Sequence, residues 1–203
     1  MFSHDVLTDP DYIVPPVPDA ATGIAWLRAS VARFASGTTH ARRRALAVDA
    51  LAGLDPAMLR KAAEDADGPV EVLAEALGLP ASVAADVAPV VPCYQPHNPV
   101  TTDADLAVGR LVAACGGTWD EVTANRIALL VQACDATKAL VADVLAGRQR
   151  PPVPATRRLA PDGTVVEVSL AEVPFGAGPH ACPGREHALA IAEGLTGQSI
   201  PVT

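Results

Sequence analysis

Apolar residues recur at helical spacing along most of the chain. In TGIAWLRASVARF, the residues Ile24, Leu27, Val31 and Phe34 fall on one face of a helix. Five further segments have helical patterns: HARRRALAVDALAGL, DPAMLRKAAEDA, PVEVLAEALGL, ASVAADVAPVV and DADLAVGRLVAAC. These patterns predict a mainly α-helical protein.

The longest helical pattern is TWDEVTANRIALLVQACDATKALVADVLAG. Thr118 and Glu121 have the spacing of a capping box at its start. The predicted helix runs from Glu121 to Leu145, and at about 1.5 Å per residue it would be about 35 Å long. A helix of this length can cross a whole domain.

The two ends of the chain differ from the helical middle in composition and in predicted secondary structure. Residues 1–20 are rich in Pro and Asp and are expected to form an extended arm. Near the C-terminus, RRLAPDGTVVEVSL has strand-like residues on both sides of a turn and predicts a hairpin. REHALAIAEGL predicts a final helix. We therefore expect one domain over 1–203, with the helical core at 21–203 and a small β element near the C-terminus.

Composition excludes several classes of function. The chain has 203 residues and a net charge of −8, which argues against a nucleic-acid-binding surface. None of the four cysteines belongs to a C-x-x-C pair, which argues against a zinc site. The start of the chain has no signal-peptide pattern, and its longest apolar stretch is interrupted by Gln132, Asp135 and Lys138. We expect a soluble cytoplasmic protein with neither nucleic-acid nor membrane partners.

The ten residues FGAGPHACPG, at 175–184, suit neither a helix nor a strand. Gly176, Gly178 and Gly184 let the backbone approach a flat group closely. Cys182 stands just before the predicted final helix, where a thiolate is stabilised by free N–H groups and can bind a metal. Phe175 can shield the sulfur from water. The alternative is an inert buried cysteine.

The pattern F-G-x-G-x-H-x-C-x-G is filled at every defined position. It resembles the heme-binding loop of the cytochrome P-450 family. This resemblance implies heme b as the cofactor, with Cys182 as the iron ligand. It also places Phe175, Gly176, His180 and Gly184 at the cofactor.

Two other segments resemble the parts of that family that hold the heme propionates. His40 and Arg44 stand four residues apart in HARRR, on one helical face. PPVPATRRL resembles a stretch whose first arginine reaches a propionate, which here is Arg157. The alternative for HARRR is a solvated basic face.

LLVQACDATKALV resembles the long helix that crosses the heme in this family. The resemblance places Ala133 over the iron and Thr137 where a threonine helps to deliver protons. Cys134 replaces the usual glycine, Ala136 replaces the usual acid, and Asp135 is acidic but shifted by one position. One position is about 100° of helix rotation, enough to turn the carboxylate away. The alternative is an ordinary core helix.

The chain is much shorter than members of that family. Between Leu145 and Pro151 there is no room for two family helices, and Leu145 replaces the Glu of an E-x-x-R motif that would end at Arg148. The meander region is absent between Leu170 and Pro174. The expected fold is therefore a truncated cytochrome P-450-like helical domain.

Three functions follow as hypotheses. The first is a heme-thiolate oxidoreductase, a monooxygenase or a peroxide-driven catalyst of oxidation or rearrangement, acting on a small organic substrate. Because the acid next to Thr137 is displaced, peroxide-driven chemistry or rearrangement is favoured. The second is a non-catalytic heme carrier, sensor or partner subunit. The third is a helical interaction protein without heme. A redox partner protein and a homodimer are both left open.

Overall fold

The computed structural model describes residues 3–200 and confirms a mainly helical chain with a small sheet near the C-terminus. The helices are α1 Ser3–Thr8, α2 Gly23–Ser30, α3 Gly37–Ala52, α4 Pro56–Ala63, α5 Pro69–Ala76, α6 Ala84–Val90, α7 Thr102–Ala114, α8 Glu121–Leu145 and α9 Arg185–Thr196. The strands are β1 Ala155–Leu159 and β2 Val165–Ser169. Short 3₁₀ turns lie at Ala32–Phe34, Ala81–Val83, Val91–Cys93 and Gly178–His180.

Helix α8 has the predicted limits and packs against α2, α3, α5, α6, α7 and α9. Its cap differs from the expected one. Asp120, not Thr118, is the N-cap, and its carboxylate accepts a hydrogen bond from the Thr123 backbone N–H at 2.8 Å. A carboxylate at this position also complements the positive end of the helix dipole.

The main hydrophobic core surrounds α8 and contains the four apolar residues of the first segment. They do not share one helical face, because α2 ends at Ser30, Val31 has extended backbone and Phe34 lies in a separate 3₁₀ turn. Ile24, Leu27 and Val31 are completely buried, and Phe34 is buried beside them. The core is built mostly from small aliphatic side chains, so helices can approach closely. Gly194 of α9 illustrates this, because a Cβ at that position would lie 2.6 Å from the Cβ of Ala63 in α4.

The predicted hairpin is present, with β1 and β2 antiparallel from Ala155↔Ser169 to Leu159↔Val165. Its turn is closed by a hydrogen bond from the Ala160 N–H to the Thr164 carbonyl at 2.8 Å. Gly163 has φ +85° in that turn, a conformation that favours glycine. The hairpin therefore forms where the Pro-Asp-Gly sequence predicts it.

The expected extended arm is wrong over Ser3–Thr8, which is helix α1. Val6 and Leu7 are buried in a second, smaller core cluster with Val168 and Leu170. This tertiary burial favours a helix that the local Pro and Asp content did not predict. Residues 1–2 lie outside the described part of the chain. Over residues 3–200 we find no helix whose length and apolar character would let it cross a membrane.

The contact between α4 and α9 gives a stability test. We expect Gly194→Ala to lower the free energy of unfolding by about 1–3 kcal/mol, because the new methyl group overlaps the α4 backbone. The matched control is Gly109→Ala in α7, where an added Cβ meets nothing within 4 Å. Replacing this helical glycine should raise stability by about 0.5–1 kcal/mol. Urea denaturation measures both changes. Equal shifts in the two variants would contradict the close packing of α9.

Candidate functional site

A cavity of about 1060 Å³ lies between α3, α8, the hairpin and the 175–184 loop. Pockets for small molecules and cofactors span about 300–1,000 Å³, so this one is at the upper end. Every candidate residue from the sequence lines it: His40, Arg44, Ala133, Asp135, Thr137, Arg157, Phe175, Gly176, His180, Cys182 and Gly184. The fold thus brings four distant segments to one wall, and the individual roles of these residues stay predictions.

His40 of α3 and His180 of the loop are in direct contact. Their ring centroids are 3.8 Å apart, with 34° between the ring planes. Burial lowers the pKa of His40, and Arg44 and Arg158 lower it further. Burial also lowers the pKa of His180 to about 3, helped by His40 and Arg158. Both rings are therefore neutral at pH 7, and each carries one N–H donor.

Two adjacent arginines of β1 differ in their environment. Arg158 is buried, and burial followed by the charge of Arg33 lowers its pKa. Its guanidinium donates to the Thr156 hydroxyl at 3.1 Å and to the Arg157 carbonyl at 2.9 Å. Arg157, the arginine predicted from the sequence, is exposed, although it also lines the cavity. It is Arg158 that acts electrostatically on both histidines.

The cavity wall carries an excess of positive charge. Four arginines line it: Arg33, Arg44, Arg157 and Arg158. Within residues 3–200, none of these four forms an ion pair. The lining carboxylates are Asp135 and Glu167, so the arginines exceed them by two charges. This surplus fits a ligand that carries two negative charges.

Cys182 is a free thiol on the cavity wall. Its backbone N–H donates to the Phe175 carbonyl at 2.8 Å, which closes the loop. The residue as a whole is exposed, but desolvation of its sulfur at the cavity raises the pKa of the Cys182 thiol, while the Gly184 N–H and the charges of Arg44 and Arg33 lower it. The N–H at the helix start thus acts on the thiol in the expected direction, and the role of Cys182 as a metal ligand stays a prediction. A bound metal cation would reverse the balance, because it deprotonates a coordinating thiol.

Helix α8 contributes Ala133, Asp135, Ala136 and Thr137 to the wall. Thr137 is buried and Asp135 is exposed. Cys134 points into the main core instead. The expected rotation of Asp135 out of the site is therefore only partial, because this residue still lines the cavity.

Sequence reasoning missed several residues of the wall. Strand alternation identifies Arg158 as the buried arginine only once it is known which face of β1 is buried. Arg33 lies in a short 3₁₀ turn that no motif identifies. Among residues 3–200, the Tyr94 hydroxyl and His187 Nδ1 are buried without a hydrogen-bond partner, and both residues line the cavity. Neither gives a signal in the sequence.

The side chains available as metal ligands limit which groups the cavity can bind. Over residues 3–200, no three His, Cys, Asp or Glu side chains are grouped so that they could hold a metal ion. A single thiol beside a surplus of two positive charges fits a metal cofactor with two carboxylates, such as heme.

Comparison with known proteins identifies the fold. No protein-family model and no curated protein matches the chain. A solved structure does match, the crystal structure of P450BioI in complex with hexadec-9Z-enoic acid ligated acyl carrier protein. The two chains share 12% identity with a TM-score of 0.70, and the match covers 96% of this chain and 81% of that one. The expected truncated cytochrome P-450-like fold is confirmed.

The different environments of the two β1 arginines can be measured. Because Arg158 lowers the pKa of His40, we expect Arg158→Met to raise the His40 pKa towards 6.5. Arg157→Met, the matched control in the neighbouring position, should leave the His40 pKa unchanged. An NMR titration of the imidazole protons gives both values. If Arg157→Met produced the larger shift, the strand would have the opposite face towards the histidines.

Proposed function

We propose that this chain binds heme b in the cavity, with Cys182 as the iron ligand, and acts as a heme-thiolate oxidoreductase on a small organic substrate. The observation that carries the proposal is one thiol beside a surplus of two positive charges on the wall of one large cavity. The P450-like fold supports it. In this proposal, residues 21–203 are the heme-binding core.

The basic residues would hold the two propionates. Arg44 and Arg158, with Arg157 beside them, supply guanidinium groups that can bind carboxylates through two hydrogen bonds. His40 and His180 are neutral at pH 7, so each can donate a hydrogen bond without adding to the repulsion between the arginines. Phe175, Gly176 and Gly184 would lie against the cofactor as part of the loop.

When bound, heme with a thiolate ligand supplies oxygen or peroxide chemistry, because the thiolate donates electron density to the iron. Helix α8 contributes two further residues to the cavity lining. Ala133 leaves space, and the buried Thr137 offers a hydroxyl that can hold a proton.

Proton delivery by this chain differs from the arrangement that the family resemblance implies. Asp135 is exposed and can exchange protons with water. However, Asp135 and Thr137 are two residues apart, and such positions on a helix do not face each other. A slow relay between them favours peroxide-driven oxidation or rearrangement, which need fewer delivered protons than oxygen-dependent hydroxylation. A redox partner protein would be needed only for the latter reaction.

The separation of Asp135 and Thr137 also favours a second candidate. A heme carrier, sensor or partner subunit needs the thiol and the basic cluster but no proton relay. This candidate differs from the first only in turnover, so one set of experiments separates them.

The ligand role of Cys182 is tested by absorbance spectroscopy of the heme-reconstituted protein, reduced and exposed to carbon monoxide. We expect the strongly red-shifted Soret band of thiolate ligation. Cys182→Ala should lose this band, whereas Cys115→Ala, a half-buried cysteine outside the cavity, should keep it. Absence of any heme band in the unaltered chain would refute the proposal. A red-shifted band without peroxide-dependent turnover would select the carrier or sensor.

The role of the basic cluster is tested by heme affinity. Removing one partner of a buried charge pair costs about 2–5 kcal/mol, so Arg44→Leu should weaken heme binding about 30-fold or more. The matched control on the same helix is Arg42→Leu, because Arg42 is exposed and paired with Glu121. Heme titration followed by absorbance gives both affinities. Equal losses in the two variants would contradict a propionate role for Arg44.

A further inference from the structure

The N-terminal helix α1 lies directly against the loop that carries Cys182. Gly178 opens the 3₁₀ turn of this loop with φ +63°. A Cβ at this position would be 2.6 Å from the Leu7 carbonyl oxygen and 3.2 Å from the Thr8 Cα. The backbones of α1 and the loop therefore touch, and no side chain fits between them.

Helix α1 also packs against the hairpin. Val6 and Leu7 are buried with Val168 of β2 in the smaller core cluster. Further along the segment, Ile13 pairs with Leu159 of β1 through two backbone hydrogen bonds of 3.2 and 2.8 Å. Residues 3–13 thus connect the cysteine loop to the hairpin that carries Arg158.

The loop's own backbone bonds are short-range. Gly176, Ala181 and Cys182 donate to Val173, Gly178 and Phe175, at 2.7, 3.1 and 2.8 Å. These bonds shape the loop but do not tie it to another element. Arg148, the last residue of the altered E-x-x-R motif, forms its ion pair elsewhere, because its guanidinium lies 2.7 Å from Asp143 of the preceding helix α8. The loop contacts α3 through the rings of His40 and His180, continues into α9 at Gly184, and meets α1 at Gly178 through close backbone packing.

We propose that α1 is the brace that holds the Cys182 loop in position on the cavity wall. Leu7 is its central residue, because it touches the loop through its carbonyl, fills the smaller core with its side chain and lines the cavity. Leu7 and Gly178 are positioning residues, since they act on Cys182 through the loop. The consequence for heme retention rests on the proposed function, but the bracing of the loop does not.

The matched pair for the test is Gly178→Ala and Gly147→Ala. Both glycines have φ +63°, so both substitutions carry the same backbone strain. Only at Gly178 does the new methyl group meet α1, because nothing lies within 4 Å of a Cβ at Gly147. The difference between the two variants therefore isolates the contact with α1.

Two measurements follow on the full chain. Hydrogen exchange of the 175–184 amides, without heme, reports the loop itself, and we expect Gly178→Ala to accelerate it about tenfold or more. Transfer of heme from the reconstituted protein to excess apomyoglobin reports retention, which should be faster by about tenfold or more. Gly147→Ala should change either rate by no more than about twofold.

A second variant tests the same contact by changing α1 instead of the loop. Leu7→Ala removes the buried anchor of α1 without altering the loop, and Leu106→Ala, at an exposed leucine, is its control. Leu7→Ala should accelerate loop exchange and heme transfer as Gly178→Ala does.

Unchanged loop exchange in both Gly178→Ala and Leu7→Ala would overturn the brace. Faster exchange with heme transfer no faster than in Gly147→Ala would also overturn it, because α1 would then support the loop without positioning Cys182. If the unaltered chain takes up no heme, the proposed function fails separately. Loop exchange in the heme-free chain then decides the brace alone.

Discussion

Repulsion among positive charges on the wall of a large cavity is the constraint on which the site depends. Arg42, Arg43 and Arg148 all have carboxylate partners, whereas the arginines that line the cavity form no ion pair within residues 3–200. Arg158 is the buried member of this set, and a desolvated cation that a neighbouring charge repels opposes folding unless a ligand compensates it. The low pKa values of His40 and His180 show how the chain limits this cost, since neutral rings add no further charge. The fold therefore holds together a set of groups that a dianionic ligand would stabilise.

Close helix packing keeps these arginines and histidines in place around the cavity. Helix α9 begins directly after the cysteine loop, and its position is fixed by the contact of Gly194 with α4. Arg43 of α3 also donates to Glu121 at the start of α8 at 2.8 Å, which joins two of the helices that line the cavity. A core built mostly from small side chains thus allows short distances between backbones.

The sequence predicts much of this arrangement but not all of it. The limits of α8 follow from helical periodicity, and the composition of the cysteine loop follows from a dense local motif. Arg158 was missed because neighbouring strand residues face opposite sides, and the sequence does not say which of two adjacent arginines is buried. Helix α1 was missed because its stability comes from burial against β2, and a segment of six residues has too few local bonds to show a pattern. What could not be predicted thus depends on contacts between residues far apart in the chain.

The pairing of Ile13 with Leu159 has a consequence for how the protein folds. It joins segments from opposite ends of the described chain, and the residue next to Leu159 is Arg158. Contacts between such distant segments form slowly, because a long loop must close before they contribute any free energy. During synthesis, the helices up to α8 can assemble while β1 and the cysteine loop are still absent. The cavity therefore lacks part of its lining until β1 and the cysteine loop have been synthesised.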